Sequence, residues 1–487
     1  MLHSDVISAL VPNGDVAADS YHRYKEDVKA ARDLKLQMYR FSLSWPRLLP
    51  TGHRSSLNPD GIRYYTDLLN ELHSSGIKPM VTLVHFDHPV ALQKEFGGWD
   101  DDRMIDAFVE YADIAFTYFG DKVQYWVTFN EPYVFCGAAG QMEFLAKAIV
   151  GVGVDPDGPV LPFGNRKTEP GADYNCLHRM ILAHARVYRL YKEKFASSQK
   201  GRIGIVNISY AARPNSTRYE DVAAARRYNL FTLGTTFGPL VTGQYPDEVR
   251  NVVDEASRLE GRATSRLPVF TPEQSALVNG TIDFLGVNQY NGQVVADTRR
   301  PDYGSLQTDA AVDVLVNSLT GPRKDVEKTF TKMTPWSIRE AVLWLWDEYR
   351  VPIFITENGY AKENKDKEGA LDDHLRAVYH SAYLRELMFA INEEGVHVIG
   401  YLAWSLIDLY EWLSQYRYTF GLVHVDYAGG SLNRTLKRES SAFFIELAET
   451  RKVPVVPSGG QRLSAPAAVA IVSVAAVLMW PSVLFYV

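Results

Sequence analysis

The sequence predicts an α/β protein built on a parallel βα barrel, and three observations carry that prediction. Strand-like runs alternate with helical stretches over residues 38–404, the rhythm of a parallel sheet whose crossovers are helices. No Gly-rich phosphate turn opens a helix, which argues against a doubly wound sheet. Two of the strand-like runs end in a glutamate and an abrupt turn, Thr128-Phe129-Asn130-Glu131-Pro132 and Ile355-Thr356-Glu357-Asn358-Gly359. The C-terminal ends of barrel strands are where active sites assemble.

In chain order, residues 17–34 read as a loop and then a helix from Tyr21. Strands are predicted at 38–43, 78–85, 123–129, 202–209, 281–287, 352–356 and 397–404. The helices between the first four are 59–75, 101–119 and 173–195, the last carrying Leu182, Ala185 and Leu190 on one side. Seven strands point to a (β/α)8 TIM barrel with long insertions. The helix at 21–34 has no strand before it, so the barrel is expected to lack its first β-strand. The barrel domain takes residues 1–453, a Pro/Gly-rich linker 454–466, and a hydrophobic tail 467–487.

With 487 residues, 46% hydrophobic and 22% charged, the chain can bury a full core. A net charge of −7 with no basic block excludes a nucleic-acid binder. The two cysteines, Cys136 and Cys176, have no metal-ligand spacing; they either form one disulfide or stay as buried free thiols. The 9 Trp, 28 Tyr and 22 Phe suit a well-filled core and also sugar-binding platforms. Residues 1–14 lack a signal-peptide pattern, whereas 467–487 carry no charge over about the length that crosses a bilayer. Small residues Ser458-Gly459-Gly460 upstream suit a lipid-anchor signal, with a tail-anchored helix as competitor.

Two glutamates on strands far apart in sequence are what glycoside hydrolysis needs: one protonates the leaving oxygen, the other attacks or stabilises the anomeric carbon. Further strings extend the pattern: Gly14-Asp15-Val16-Ala17, Tyr21-His22-Arg23-Tyr24-Lys25-Glu26-Asp27, Tyr39-Arg40-Phe41-Ser42-Leu43-Ser44-Trp45-Pro46 and His85-Phe86-Asp87-His88-Pro89. Gly97-Gly98-Trp99, Asn288-Gln289-Tyr290 and the stretch from Trp404 through Asp408 and Glu411 to Trp412 follow. With these in this order, the chain resembles glycoside hydrolase family 1, the β-glucosidase and lactase group, over residues 14–453.

The resemblance implies a retaining β-glycosidase acting on terminal β-D-glucosides, with β-galactosides a second substrate class. It makes Glu131 the general acid/base and Glu357 the nucleophile, with Arg40 and Tyr290 holding the nucleophile charged and oriented. It assigns His85, Asn130, Asn288 and Glu411 to the sugar, with Trp404 under the ring and Trp412 beside it; Asn130 would donate to the 2-hydroxyl. The loops around Trp336 and over residues 292–326 would meet the aglycone. It implies no cofactor and no metal. His22 and His184 read as structural.

The chain departs from the family pattern in places. Phe86 stands for a usual Trp, and Gln415 and Thr419 for a usual Gly and Arg. The family's first strand, with its sugar-contacting Gln, has no counterpart, which leads to the expectation of a longer natural chain with a signal peptide. The competing reading is a catalytically silent, klotho-like binding protein; silent relatives tend to lose a carboxylate, and both are present here. A plant-type thioglucosidase is disfavoured because those enzymes carry Gln where Glu131 stands. Sequons occur at Asn207, Asn215, Asn279 and Asn433. Asn207 falls inside a predicted strand, so Asn215 and Asn433 are the expected glycosylation sites in a secreted or membrane-anchored protein.

Overall fold

The computed structural model describes residues 14–137, 171–298, 304–316, 333–363, 367–412 and 415–457. Its main sheet has seven strands: β1 (Met38–Ser42), β2 (Lys78–Val84), β3 (Tyr125–Asn130), β4 (Arg202–Ser209), β5 (Phe284–Gln289), β6 (Ile353–Glu357) and β7 (Val398–Tyr401). They neighbour one another in chain order and every pairing is parallel. All seven predicted strands are present, with ends shifted by up to three residues. This is a curled, helix-wrapped sheet of TIM-barrel type. Among the described residues β1 pairs only with β2 and β7 only with β6, so the sheet stands open between them. A cavity of about 210 Å³ lies there, lined by Met38, Arg40, Phe41, Leu402, Trp404 and Leu406 among others.

Each crossover buries one face of a helix against the sheet. Helix α1 (Ser20–Asp33) precedes β1, and α2 (Pro59–Ser74) joins β1 to β2. Asn58 caps α2 by accepting from the Asp60 N–H, Pro59 occupies the first turn, and Tyr65, Leu68, Leu69 and Leu72 form its buried stripe. Helices α3 (Arg103–Phe119), α4 (Ala172–Lys194), α5 (Trp336–Tyr349) and α6 (His374–Asn392) make later crossovers, and α7 (Arg438–Thr450) is the last helix among the described residues.

The inside of the sheet is filled by residues from β1 to β6 and by Leu402 just after β7: Met38, Met80, Tyr125, Val127, Val206, Phe284, Phe354 and Leu402 form one buried cluster. This packed plug makes the barrel a core rather than a pore, and it carries the site above it.

His184 is structural, as expected: it is fully buried, with Thr128 Oγ1 2.7 Å from Nδ1 and the Thr281 carbonyl 2.6 Å from Nε2. His22 lies on the surface beside Asp19. Cys136 and Cys176 form a disulfide, which settles the alternatives that the sequence leaves open. Asn207 is buried, donating to the Thr232 carbonyl, whereas Asn215 and Asn433 are exposed. The expectations for residues 1–13 and for the tail at 467–487 fall outside the described residues. Among those described, no helix is long and apolar enough to cross a membrane.

Phe354 gives the interior a test. It is fully buried, edge-on to Tyr125 at 5.6 Å, and a Cβ on Gly400 would lie 2.3 Å from its ring. Phe354→Ala should cost about 3–5 kcal/mol in urea denaturation. A loss under about 1 kcal/mol would show that the plug is not packed in this way.

Candidate active site

Both glutamates leave their strands through an irregularity in the sheet. In β3 the register runs from Val127 opposite Gly204 to Asn130 opposite Val206, so β3 carries one extra residue before Glu131. In β6 it runs from Ile355 opposite Val287 to Glu357 opposite Asn288, which leaves Thr356 as the extra residue. Bulges of this kind re-aim side chains next to active sites. Glu131 (φ 44), Trp412 (φ 44) and Phe86 (φ 65) also take positive φ, conformations that non-glycine residues hold only when their surroundings impose them.

One hydrogen-bonded network joins the two carboxyls. Arg40 donates Nη1 to Glu357 Oε1 at 2.6 Å, and the Tyr290 hydroxyl donates to Glu357 Oε2 at 2.6 Å. Arg40 Nη2 reaches Asn130 Oδ1 at 2.7 Å, and its Nε reaches Thr82 Oγ1 at 3.1 Å. Asn288 gives its amide hydrogens to Glu131 Oε1 at 2.7 Å and Asn130 Oδ1 at 3.2 Å, while its oxygen accepts from Thr356 Oγ1 at 2.8 Å. Asn288, which the resemblance assigns to the sugar, has both of its amide hydrogens directed at Glu131 and Asn130. The Asn130 oxygen is claimed twice, so its NH₂ is the group that it can offer to a ligand.

The electrostatics divide the acids. Burial, then the charge of Glu357, pushes the Glu131 carboxyl up to about 8, against the hydrogen bond from Asn288. Burial and then Glu357 also push Glu411 up to about 8, against a hydrogen bond with Trp404. Burial and then the Arg40 charge drive His85 down to about 3, leaving a neutral imidazole. Its ring centroid lies 5.6 Å from that of Trp412 and 6.1 Å from that of Trp404. Phe86, in place of the usual Trp, keeps an aromatic face 5.1 Å from Trp412.

The structure therefore brings Arg40, His85, Asn130, Glu131, Asn288, Tyr290, Glu357, Trp404, Glu411 and Trp412 to one end of the sheet. It adds groups that the sequence reading gave no role. The hydroxyls of Tyr379 and Tyr383 both donate to the Tyr290 carbonyl, at 2.6 and 2.7 Å. A Cβ on Gly359 would lie 2.1 Å from the Trp404 carbonyl, so only glycine lets the two turns meet. Asp408 anchors the arm bearing Trp404 and Glu411 by accepting from Lys437 Nζ at 2.7 Å and the Gly421 N–H at 3.1 Å, both ends of the ion pair being buried. Gln415 adopts φ 53 where the family usually has Gly, and its carbonyl accepts from the Glu411 N–H at 2.7 Å. Thr82 and Thr356 offered no pattern to find them by; Asp408 stood inside the Trp404 to Trp412 string. Among the described residues no cluster of His, Cys, Asp and Glu could hold a metal ion.

The Glycosyl hydrolase family 1 profile matches residues 6–453. Myrosinase 1 of Brevicoryne brassicae is 38% identical over 442 residues, 90% of this chain and 89% of that protein. Lactase/phlorizin hydrolase of Homo sapiens is 39% identical over 450 residues, 91% of this chain but 22% of that larger protein. Among solved structures, a rice β-glucosidase mutant in covalent complex with Glc superposes with a TM-score of 0.77 at 32% identity, covering 89% of this chain and 88% of that one. The chain belongs to glycosyl hydrolase family 1. It is a glycoside hydrolase of the β-glucosidase group.

The raised acids give a stability test. Glu131 and Glu411 hold their protons in the folded protein up to about pH 8, whereas an unfolded glutamate releases its proton near 4.5. The folded state binds more protons in that window, so each carboxyl's contribution is full below it and is lost as pH rises through it. Glu411→Gln should therefore raise stability at pH 8 by roughly 1–3 kcal/mol and leave it unchanged near pH 4. Thermal melts at the two pH values check this, and an equal effect at both would refute the burial argument.

Proposed function

We propose that the protein is a retaining β-glycosidase that hydrolyses terminal β-D-glucosides by double displacement. The observation that carries the reading is the unequal treatment of two neighbouring carboxyls. Glu357 is gripped by the Arg40 guanidinium and the Tyr290 hydroxyl, the setting of an oriented anion. Glu131 is pushed up to about 8 and keeps its proton near neutrality. An acid and a nucleophile separated by environment are what this chemistry requires.

In the first step Glu357 attacks the anomeric carbon while Glu131 protonates the departing glycosidic oxygen, which releases the aglycone. Glu131, now ionised, takes a proton from water, which displaces Glu357 and frees the sugar with its β-configuration. The Asn130 NH₂ would donate to the 2-hydroxyl, a contact that strengthens as the oxocarbenium ion forms. The Glu411 carboxyl, oriented by Trp404, would hold the 4- and 6-hydroxyls, with His85 beside them. The covalent complex with Glc of the rice relative supports a glycosyl-enzyme route. Nothing in the site favours the silent-barrel alternative. The Cys136–Cys176 disulfide and the exposed Asn215 and Asn433 sequons support a secretory location.

Glu357→Ala should abolish steady-state turnover. Glu131→Gln should slow alkyl glucosides by about 10²–10⁴-fold and activated aryl glucosides far less in the first step. Equal losses on both would remove Glu131 from the acid's role. NMR of the fresh product should show the β-anomer, and initial release of the α-anomer would overturn retention.

Glu411→Ala should weaken kcat/KM for glucosides and galactosides by ~1–3 kcal/mol, the cost of leaving the buried sugar hydroxyls without their hydrogen-bond partner. Unchanged kinetics on both sugars would remove Glu411 from the sugar site.

A further inference from the structure

Thr356 lies beside Glu357 in sequence but belongs structurally to the other carboxyl. It is the extra residue of the β6 bulge, 2% exposed, and its hydroxyl points across to β5. There it donates to the oxygen of Asn288, which is fully buried. An asparagine amide has two faces, and rotation of its amide by half a turn exchanges oxygen for NH₂. Asn288 in the rotated state would set its oxygen against both the Glu131 carboxyl and the Asn130 oxygen. The Thr356 hydroxyl can accept as well as donate, so it anchors that edge of the amide, while the Asn130 oxygen, already taken by Arg40, sets which way the amide faces.

We propose that Thr356 is a positioning residue for the acid/base: its hydroxyl, re-aimed by the β6 bulge, fixes the Asn288 amide so that Asn288 donates to Glu131. This rests on the reading of Glu131 as acid/base given above. The donor matters because Glu131 must change state twice per turnover. It gives up its proton in the first step and must stay ionised until water arrives in the second. Burial and Glu357 both oppose that ionised form; Asn288 supports it, as does the Arg40 charge. The bulge thereby ties the two halves of the reaction together, since the strand that delivers Glu357 also sets the donor on Glu131.

The charged, titratable and hydrogen-bonding groups that act on Glu131 include Glu357 on β6, Arg40 on β1, Asn288 on β5, Glu411 on the arm after β7, and the tyrosines Tyr210 and Tyr290. The Thr356 side chain bonds Asn288 among them, whereas its contact with Arg40, at 3.5 Å, is made by the backbone carbonyl, which the substitutions keep.

The test is the pH dependence of kcat/KM for a 4-nitrophenyl β-glucoside and an alkyl β-glucoside in Thr356→Val, Thr356→Ala and Thr356→Ser. Val keeps the shape and loses the hydroxyl; Ala loses both hydroxyl and methyl; Ser keeps the hydroxyl. The basic limb should move up by about one pH unit in Val and Ala, as expected when a hydrogen bond to a charged group is lost. Ser should keep the wild-type limb. A variant that only loosens the fold would lower activity at every pH without moving the limb. Should Val not fold, the Ser and Ala pair carries the comparison.

Glu131→Gln separates the two levels of inference. If it removes the basic limb while Val and Ala leave the limb where it was, the positioning role is wrong and the acid/base assignment stands. If the basic limb survives in Glu131→Gln, the assignment fails and the proposal fails with it. A limb that shifts equally in Ser, Val and Ala also overturns the proposal, because the hydroxyl would then be irrelevant.

Discussion

The Arg40 guanidinium is the constraint on which the rest of the site depends. It leaves β1, rests its Nε on Thr82 of β2, and divides its two terminal nitrogens between Asn130 of β3 and Glu357 of β6. Four strands are thus registered by one rigid planar fork, which a lysine could not replace. Arg40 and Glu357 keep only 7% and 6% of their side-chain surface, so the pair carries a desolvation cost that apolar residues of the same volume would avoid. On the proposed reading the pair makes sense through function: a nucleophile must be anionic and must be aimed. The second partner, Tyr290, is itself held by two tyrosine hydroxyls on α6, so the anion's surroundings are fixed from both sides.

Much of this was legible in the sequence because barrel chemistry is concentrated at strand ends. The seven strands showed as apolar runs punctuated by turns, and the glutamates stood at two of those ends. Arg40, Tyr290, His85 and Asn130 were found through the family's strings, and the fold brings them together. What stayed hidden was lateral. A strand's sequence gives its own period, not its register against a neighbour, so neither bulge could be read from the residues that form it. Thr82 and Thr356 look like ordinary β-branched strand residues and differ from their neighbours only in what lies across the sheet.

Asn288 shows the same limit in another form. As part of Asn288-Gln289-Tyr290 it was expected to face the sugar, but its amide is used between Glu131, Asn130 and Thr356. Nothing local to Asn288 shows which of these it does; its partners lie across the sheet. The cysteines were undecidable for a related reason. They are 40 residues apart in the chain, and only the fold brings their Cα atoms to 5.7 Å.

On the proposed mechanism, a division of labour between Glu131 and Glu357 would explain why so much structure surrounds them. Each environment that suits one would disable the other: an arginine beside Glu131 at bonding distance would keep it ionised, and an apolar pocket around Glu357 would neutralise it. They must nevertheless sit close enough to act on one bond. The protein meets both demands with neutral intermediaries. Asn130 and Asn288 stand between the guanidinium and Glu131, passing on orientation through hydrogen bonds while placing no formal charge beside the acid. The Arg40 charge lowers Glu131, but less than the Glu357 charge raises it. A site with these two amides replaced by lysine or aspartate could keep the same fold and still lose the protonated Glu131 on which the proposed double displacement depends.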